Sequence, residues 1–146
     1  MSNLLFVYGS LMPDLGDASF GIAERRRLMS ESQPLGRATL RASLYDLGEY
    51  PGLVLIPQHP ADVVQGTLLQ LRVPDVTLEW LDAFEDFDSQ RADEANVYRR
   101  VVAPVVLGAG LHDAWVYEIR RVPPESHRIA SGMWHAPSPK RRDSKL

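Results

Sequence analysis

Short apolar runs and one clear alternation of apolar with polar residues dominate the chain, and both patterns are typical of β-strands. The alternation begins at Gly36 and places Ala38, Leu40, Ala42 and Leu44 on one side. The apolar runs stop at glycine- or proline-containing turns. Together these patterns predict six strands, over residues 3–8, 36–44, 53–56, 63–72, 97–107 and 114–119. Within the fourth strand, Gly66 is expected at a bulge or a point of close packing.

Helical segments are fewer. Residues 18–30 can hold one helix, with Glu24–Arg27 facing solvent and three apolar residues facing the core, namely Ile22, Leu28 and Met29. A second helix is predicted for residues 76–87. Because the order is mostly strands with one or two inserted helices, the sequence favours an α+β sheet or small barrel over a doubly wound fold.

Composition narrows the class of protein further. A length of 146 residues fits one domain, which we place at residues 1–136. Residues 137–146 are expected to form a basic, disordered C-terminal tail. The chain has no cysteine, which excludes disulfides, Cys-based zinc sites and a cysteine nucleophile. A net charge of −3 lacks the footprint of a nucleic-acid-binding protein. With no apolar run long enough for a signal peptide or a membrane span, we expect a cytoplasmic protein.

The first candidate for a functional site is the turn after the first strand. Tyr8 is followed by Gly9, Ser10 and Leu11, so successive backbone N–H groups are exposed with little side-chain bulk. Such groups can form a concave site for a carboxylate or a phosphate. The alternative is an ordinary turn that ends a strand.

The second candidate is Glu85, near the end of the second predicted helix. At 100° per residue it lies on the same face as Leu78, Leu81 and Phe84, whereas the neighbouring acids Glu79, Asp82 and Asp86 lie opposite. Burial would raise the pKa of this carboxyl group and make it a competent base near neutral pH. The alternative is a glutamate at the edge of the buried face, paired with an arginine. Asp75 or Thr77 is expected to cap this helix.

Other kinds of site find little support. Ser10 lacks the Gly-x-Ser-x-Gly elbow of serine hydrolases, and the chain has neither a phosphate-binding P-loop nor a dinucleotide fingerprint. Four scattered histidines and an acid-rich segment at 82–94 do not have the spacing of metal ligands. No metal and no cofactor are therefore expected.

Several blocks in this order resemble the γ-glutamylcyclotransferase-like family, also called AIG2-like. They are Phe6–Leu11, Gly36–Gly48 with Tyr50–Val54, Val64–Leu68, Leu81–Glu85, Tyr98–Arg100, Ala114–Tyr117 and Ser131–Trp134. Two features depart from the family pattern. Asp86 stands where the family usually has glycine, and the acidic loop between Glu85 and Tyr98 is longer than expected.

The resemblance implies a small mixed β-barrel with flanking helices, a cavity at one end, and a reaction that cyclises a γ-glutamyl compound to 5-oxoproline. It implies that Glu85 is the general base and acid, and that the amides of Gly9, Ser10 and Leu11 hold the substrate carboxylate. Tyr8 and Tyr117 would line the pocket, and Tyr98 would hydrogen-bond near the base.

Two other functions stay open. One is a related acyl transfer or lyase reaction on another γ-glutamyl metabolite in the same pocket. The other is a non-catalytic module that binds a small carboxylate. The amine half of the substrate would be recognised by the variable segments 12–34 and 86–97. The expected partner is a small molecule rather than a nucleic acid or a membrane, and the protein would be a monomer or a homodimer.

Overall fold

The computed structural model of the chain describes residues 2–15 and 20–136. The predicted C-terminal tail, 137–146, lies outside the described residues. The strands are β1 Leu4–Val7, β2 Ser32–Leu40, β3 Ser43–Asp46, β4 Pro51–Val54, β5 Val64–Leu71, β6 Tyr98–Leu107, β7 Gly110–Ile119 and β8 His127–Arg128. The helices are α1 Ile22–Glu31 and α2 Pro74–Phe84, with short 3-10 turns at Pro13–Leu15 and Asp93–Ala95.

Five strands close into a barrel in the order β1-β5-β2-β6-β7. The closing contact is a parallel pairing of β1 with β7 at Leu5 and Trp115, and the other pairs are antiparallel. Side chains fill the interior, among them Leu5, Val64, Leu68 and Val105, each with no exposed surface. The α+β barrel with flanking helices expected from the resemblance is therefore confirmed.

Gly66 lies where β5 runs closest to β1. A Cβ atom at this position would lie 2.3 Å from the carbonyl oxygen of Val7 and 2.9 Å from the ring of Phe6. Of the two expectations for this glycine, close packing is thus the one observed. The contact holds the end of β1, from which the candidate turn extends.

A second, three-stranded sheet in the order β4-β3-β8 packs beside the barrel. The predicted strand 36–44 is in fact two strands, because the chain leaves the barrel after Leu40 and joins this sheet at Ser43. The sequence did not predict β8, whose two residues are both exposed. The small sheet brings Pro51 next to the turn that follows β1.

Two expectations about the helices are wrong. Arg25 was placed on the solvent face of the first helix but is 1% exposed, whereas Met29, expected in the core, is 47% exposed. Neither Asp75 nor Thr77 caps α2, whose N-cap is Val73 with Pro74 in the first turn. Thr77 is buried and donates its hydroxyl hydrogen bond to Glu31 instead. In both helices, tertiary partners decide which polar groups are buried.

Over residues 2–15 and 20–136, every helix is too short or too polar to span a lipid bilayer.

Candidate active site

A cavity of about 300 Å³ opens where β1 ends. All seven residues singled out from the sequence line it, namely Tyr8, Gly9, Ser10, Leu11, Glu85, Tyr98 and Tyr117. They come from four separate parts of the chain: the end of β1, the end of α2, and strands β6 and β7. The fold thus brings the two independently chosen candidates, the turn and the glutamate, to one site.

The turn after β1, residues 9–11, presents its backbone N–H groups without internal partners. Within the part of the chain that the structure describes, the amides of Gly9, Ser10 and Leu11 donate no hydrogen bond to the protein. The turn is closed by the amide of Met12, which donates to the carbonyl oxygen of Gly9 over 3.0 Å. Successive amides of this kind form a site for an anion.

Glycine is needed at the start of this turn because Pro51 is so close. A Cβ atom on Gly9 would lie 2.6 Å from Cδ and 2.8 Å from Cγ of Pro51, which is shorter than any van der Waals contact. Any larger residue would displace either the turn or the Pro51 segment. The turn and the small sheet are therefore packed as one wall of the cavity.

Arg25 supports the same turn from the protein interior. Its guanidinium group donates hydrogen bonds to the carbonyl oxygens of Ser10 and Phe20. A buried arginine is costly unless it is hydrogen-bonded, and here the hydrogen bonds tie the turn to α1. The helical pattern of α1 gave no signal for this role, because three consecutive arginines suggested a solvated face.

Glu85 is the residue at which α2 ends. Its amide donates to the carbonyl oxygen of Leu81 over 2.8 Å, and the next two amides close a Schellman motif. In that motif Asp86 donates to Ala83 over 3.2 Å, and Phe87 donates to Asp82 over 2.8 Å. The chain turns sharply at this point, and the Glu85 side chain lies against the cavity.

Asp86 occupies the left-handed position of this motif. Its φ angle is 52°, the sole positive φ of a non-glycine residue in the described ranges. The left-handed conformation favours glycine, which is the residue that the family pattern usually has at this position. Asp86 is further held by Arg91, which donates both to its carboxylate and to its carbonyl oxygen.

The long acidic loop shapes the edge of the cavity. It returns to α2 where the amide of Val97 donates to the carbonyl oxygen of Asp86 over 3.2 Å, and both residues line the cavity. Asn96 fastens the loop internally through hydrogen bonds from the amide of Asp88 and the side chain of Arg91. The extra residues therefore form an ordered wall beside Glu85.

The carboxyl group of Glu85 is held in an environment that favours its neutral form. Burial raises its pKa from 4.5 to about 8, and the nearby carboxylate of Asp82 contributes to the rise. Within the described residues, no side chain pairs with Glu85. The alternative expectation of an arginine-paired glutamate is therefore wrong. A carboxyl group with such a pKa can take up and release a proton near neutral pH.

The helical projection predicts Asp82 on the side of α2 opposite Glu85, and the structure differs from that prediction. Asp82 is half-buried, and both oxygens accept hydrogen bonds from Arg100, over 2.8 and 3.1 Å. It also accepts a 2.7 Å hydrogen bond from the Tyr117 hydroxyl group. Arg100 in turn stacks on Trp115, with its guanidinium carbon 4.3 Å from the ring centroid. This network fixes one wall of the cavity.

The three tyrosines are buried and protonated. Burial raises the pKa of Tyr8, Tyr98 and Tyr117 well above 10. Tyr8 donates its hydroxyl hydrogen bond to the carbonyl oxygen of Tyr117 over 2.6 Å, and Tyr98 donates to that of Pro51 over 2.8 Å. Tyr98 was expected to hydrogen-bond near the base, but its proton is directed to the backbone. The hydroxyl oxygens keep lone pairs that could accept a hydrogen bond from a substrate.

Three aromatic residues that the sequence did not suggest complete the cavity. Phe20, Tyr50 and Phe84 line it, and the ring centroids of Phe20 lie 5.4 Å from Tyr50 and 6.3 Å from Phe84. Two of them carry a signal in the sequence. Tyr50 lies within a block shared with the family, although the turn pattern around it conceals its role, and Phe84 lies on the same predicted helix face as Glu85. In the described ranges, acidic and histidine side chains form no group of three or more that could hold a metal ion.

Comparison with known proteins places this arrangement in a family. The family model described as "Gamma-glutamyl cyclotransferase, AIG2-like" matches residues 5–136. A search of curated proteins gave no significant match.

Three solved structures with the same fold illustrate what this chain is similar to. YkqA from Bacillus subtilis has a TM-score of 0.63 and 22% identity, over 92% of this chain and 40% of YkqA, so the chain spans about two-fifths of that protein. The solution structure of ytfP from Escherichia coli has a TM-score of 0.59 and 28% identity, over 90% of this chain and 95% of ytfP. An AIG2-like protein from Mus musculus has a TM-score of 0.59 and 24% identity, over 84% of this chain and 80% of its own. Since the family model covers nearly the whole described chain, the protein belongs to the AIG2-like γ-glutamyl cyclotransferase family.

Proposed function

We propose that the protein cyclises a γ-glutamyl amine or peptide to 5-oxoproline and releases the amine. The observation that carries this proposal is the convergence on one cavity of three backbone amides and a carboxyl group with a raised pKa, none of which has a partner among the described residues. The backbone amides suit the substrate's α-carboxylate, and the Glu85 carboxyl group suits its α-ammonium group.

The reaction needs no nucleophile from the protein. The α-amino nitrogen of the substrate attacks its own γ-carbonyl carbon, the bond from that carbon to the leaving nitrogen breaks, and a five-membered lactam forms. Two protons leave the α-ammonium nitrogen, one before it attacks and one as the lactam N–H forms. One of them is taken up by the departing nitrogen as the bond to carbon breaks, and the other protonates the released amine or passes to solvent. The chain has no cysteine, and the only residue chosen for its acid–base chemistry is Glu85.

Glu85 can serve both proton transfers. In its ionised form it takes a proton from the substrate ammonium group, and in its neutral form it returns a proton to the leaving amine. A pKa of about 8 makes both forms accessible near neutral pH. Because no side chain of the described residues pairs with this carboxyl group, it is available to contact the substrate.

The amides of residues 9–11 would fix the conformation that reacts. A γ-glutamyl chain has several rotatable bonds, and cyclisation requires the α-amine to lie against the γ-carbonyl carbon. Holding the α-carboxylate in the turn restricts those bonds, and proximity in well-oriented intramolecular reactions contributes roughly 7–11 kcal/mol. Arg25 and Pro51 keep the turn rigid for this purpose.

The test is release of 5-oxoproline from a panel of γ-glutamyl amines and peptides, with purified wild-type protein and Glu85→Gln. We expect turnover by the wild-type protein and its loss in the variant. Glu79→Gln is the matched control, because Glu79 is an exposed glutamate on the same helix and does not line the cavity. Binding of these compounds without 5-oxoproline release would support the non-catalytic binding module instead. A wild-type rate in Glu85→Gln would contradict the proposed mechanism.

A further inference from the structure

The cavity has a buried end and an exposed end with different chemistry. At the buried end, Tyr8, Tyr98 and Tyr117 are each between 5 and 7% exposed. At the other end, Tyr50 is 37% exposed, and Phe20 and Phe84 are half-buried. The leaving amine must extend from the reacting carbonyl towards solvent if the glutamyl part occupies the buried end. The aromatic group of Phe20, Tyr50 and Phe84 is therefore the surface it meets.

The described lining of the cavity contains carboxylic acids but no basic side chain. Among the described residues that line it, there is no lysine, arginine or histidine, and the two carboxylic acids are Glu85 and Asp86. The arginines just outside the lining are already hydrogen-bonded. Arg25 donates to the carbonyl oxygens of Ser10 and Phe20, Arg91 donates to Asp86, and Arg100 pairs with Asp82.

A second carboxylate on the substrate would therefore be poorly placed. The amides of residues 9–11 can hold one carboxylate, and the proposed function assigns them to the glutamyl part. A carboxylate on the leaving group would lie beside Glu85 and Asp86, where Asp86 already engages Arg91 and no basic side chain of the described residues lines the cavity. It would therefore lose water without gaining an ion pair. An apolar ring would instead pack on the three aromatic side chains.

We infer that the preferred substrate is the γ-glutamyl derivative of a small aromatic amine that has no carboxylate, rather than a γ-glutamyl amino acid. This inference rests on the proposed function and specifies its leaving group. A cavity of about 300 Å³ is at the small end of ligand sites, which limits the amine to a single ring on a short linker. Tyr50 is the residue that determines the preference for the ring, since it contacts Phe20 and borders solvent.

The experiment compares three substrates that differ by one feature at a time. They are the γ-glutamyl derivatives of phenethylamine, of phenylalanine, which adds a carboxylate, and of ethylamine, which lacks the ring. The measured quantity is kcat/KM for release of 5-oxoproline. We expect the phenethylamine derivative to exceed each of the other two by at least about tenfold, the size of change that one well-placed recognition element produces.

A variant separates ring recognition from general damage. Tyr50→Ala is expected to lower the ratio of kcat/KM for the phenethylamine derivative over the ethylamine derivative at least threefold. Tyr45→Ala, a tyrosine on β3 that does not line the cavity, is the control and should keep the wild-type ratio. Because the readout is a ratio within one protein sample, partial unfolding of either variant cancels.

The outcomes distinguish the inference from the function on which it rests. If none of the three compounds releases 5-oxoproline, the proposed function fails, and the inference fails with it. If all three react at similar rates, or the phenylalanine derivative reacts fastest, the function stands and the inference is overturned. An unchanged ratio in Tyr50→Ala would overturn the assignment of ring recognition to this residue.

Discussion

Replacing Glu85 with glutamine keeps the length of the side chain and removes its ability to ionise. The substitution therefore measures what the half-buried carboxyl group costs the fold. In the unfolded chain the group has its ordinary pKa of 4.5, whereas burial and the Asp82 carboxylate raise the folded value to about 8. The folded protein thus holds a proton that the unfolded chain releases.

The sign of the effect follows from these two values. Below pH 4.5 both states are protonated, and the group does not reduce stability. As pH rises from 4.5 to 8, the unfolded chain ionises freely while the folded protein does not, so the free energy of unfolding falls. Above pH 8 the loss is complete, and at about 1.4 kcal/mol for each pH unit between the two pKa values it is on the order of 5 kcal/mol. This is a large fraction of the total stability of a typical domain, about 5–15 kcal/mol.

Urea unfolding of the wild-type protein and Glu85→Gln at two pH values gives the measurement. At pH 5 the two proteins should have similar free energies of unfolding. At pH 8.5 the glutamine variant should be the more stable, and its advantage should have grown by on the order of 4 kcal/mol. The proposed function expects the same variant to lose activity, and the two results together would show that the proposed catalytic group reduces the stability of the fold.

The control is again Glu79→Gln, whose side chain is exposed on the same helix. It should change the free energy of unfolding by a similar amount at both pH values. The reasoning would be refuted if Glu85→Gln were no more stable relative to wild type at pH 8.5 than at pH 5. That result would mean that the folded protein does not hold the Glu85 proton.

Three further outcomes are expected. Asp82→Asn removes a charge that raises the pKa of Glu85, so the rise of kcat/KM with pH should move below its wild-type midpoint near pH 8; an unmoved midpoint would exclude Asp82 from tuning the base. Asp86→Gly should be more stable than Asp86→Ala by about 1 kcal/mol in thermal or urea unfolding, because both lose the ion pair and only glycine adopts the positive φ without strain. Gly132→Ala should destabilise the fold by more than about 2 kcal/mol, because the added Cβ atom would lie 1.7 Å from a backbone carbonyl oxygen. Gly108 has a similar positive φ but open space around it, so Gly108→Ala should cost only about 1 kcal/mol, and equal losses in the two variants would refute the steric argument.

The site shows which kinds of residue a sequence pattern can and cannot identify. Glu85 could be found because an acid on the apolar face of a predicted helix conflicts with its surroundings, and that conflict is local. Asp82 could not be placed, because a helical projection treats the helix as isolated. In the fold, the last turns of α2 lie against Arg100 and Tyr117, and an acid beside the apolar face finds its partners there.

Arg25 and Tyr50 were missed for a related reason. An arginine within a run of three is indistinguishable from its neighbours until the carbonyl oxygens of Ser10 and Phe20 are brought to it. Tyr50 lies in a turn cluster, and its role depends on the second sheet packing beside β1. Both depend on contacts between residues distant in the chain.

The sequence by itself located most of the strands, the two helices and the class of the fold, because periodicity and turn residues act over a few positions. It did not separate β2 from β3, and it did not predict β8. The sequence also contains, in order, the blocks that resemble the family. The tertiary structure alone decided how the barrel closes, in the order β1-β5-β2-β6-β7, and where β2 leaves it for the second sheet. It also decided the protonation of Glu85, because the pKa of a carboxyl group depends on the water and charge removed from around it by residues far away in the chain.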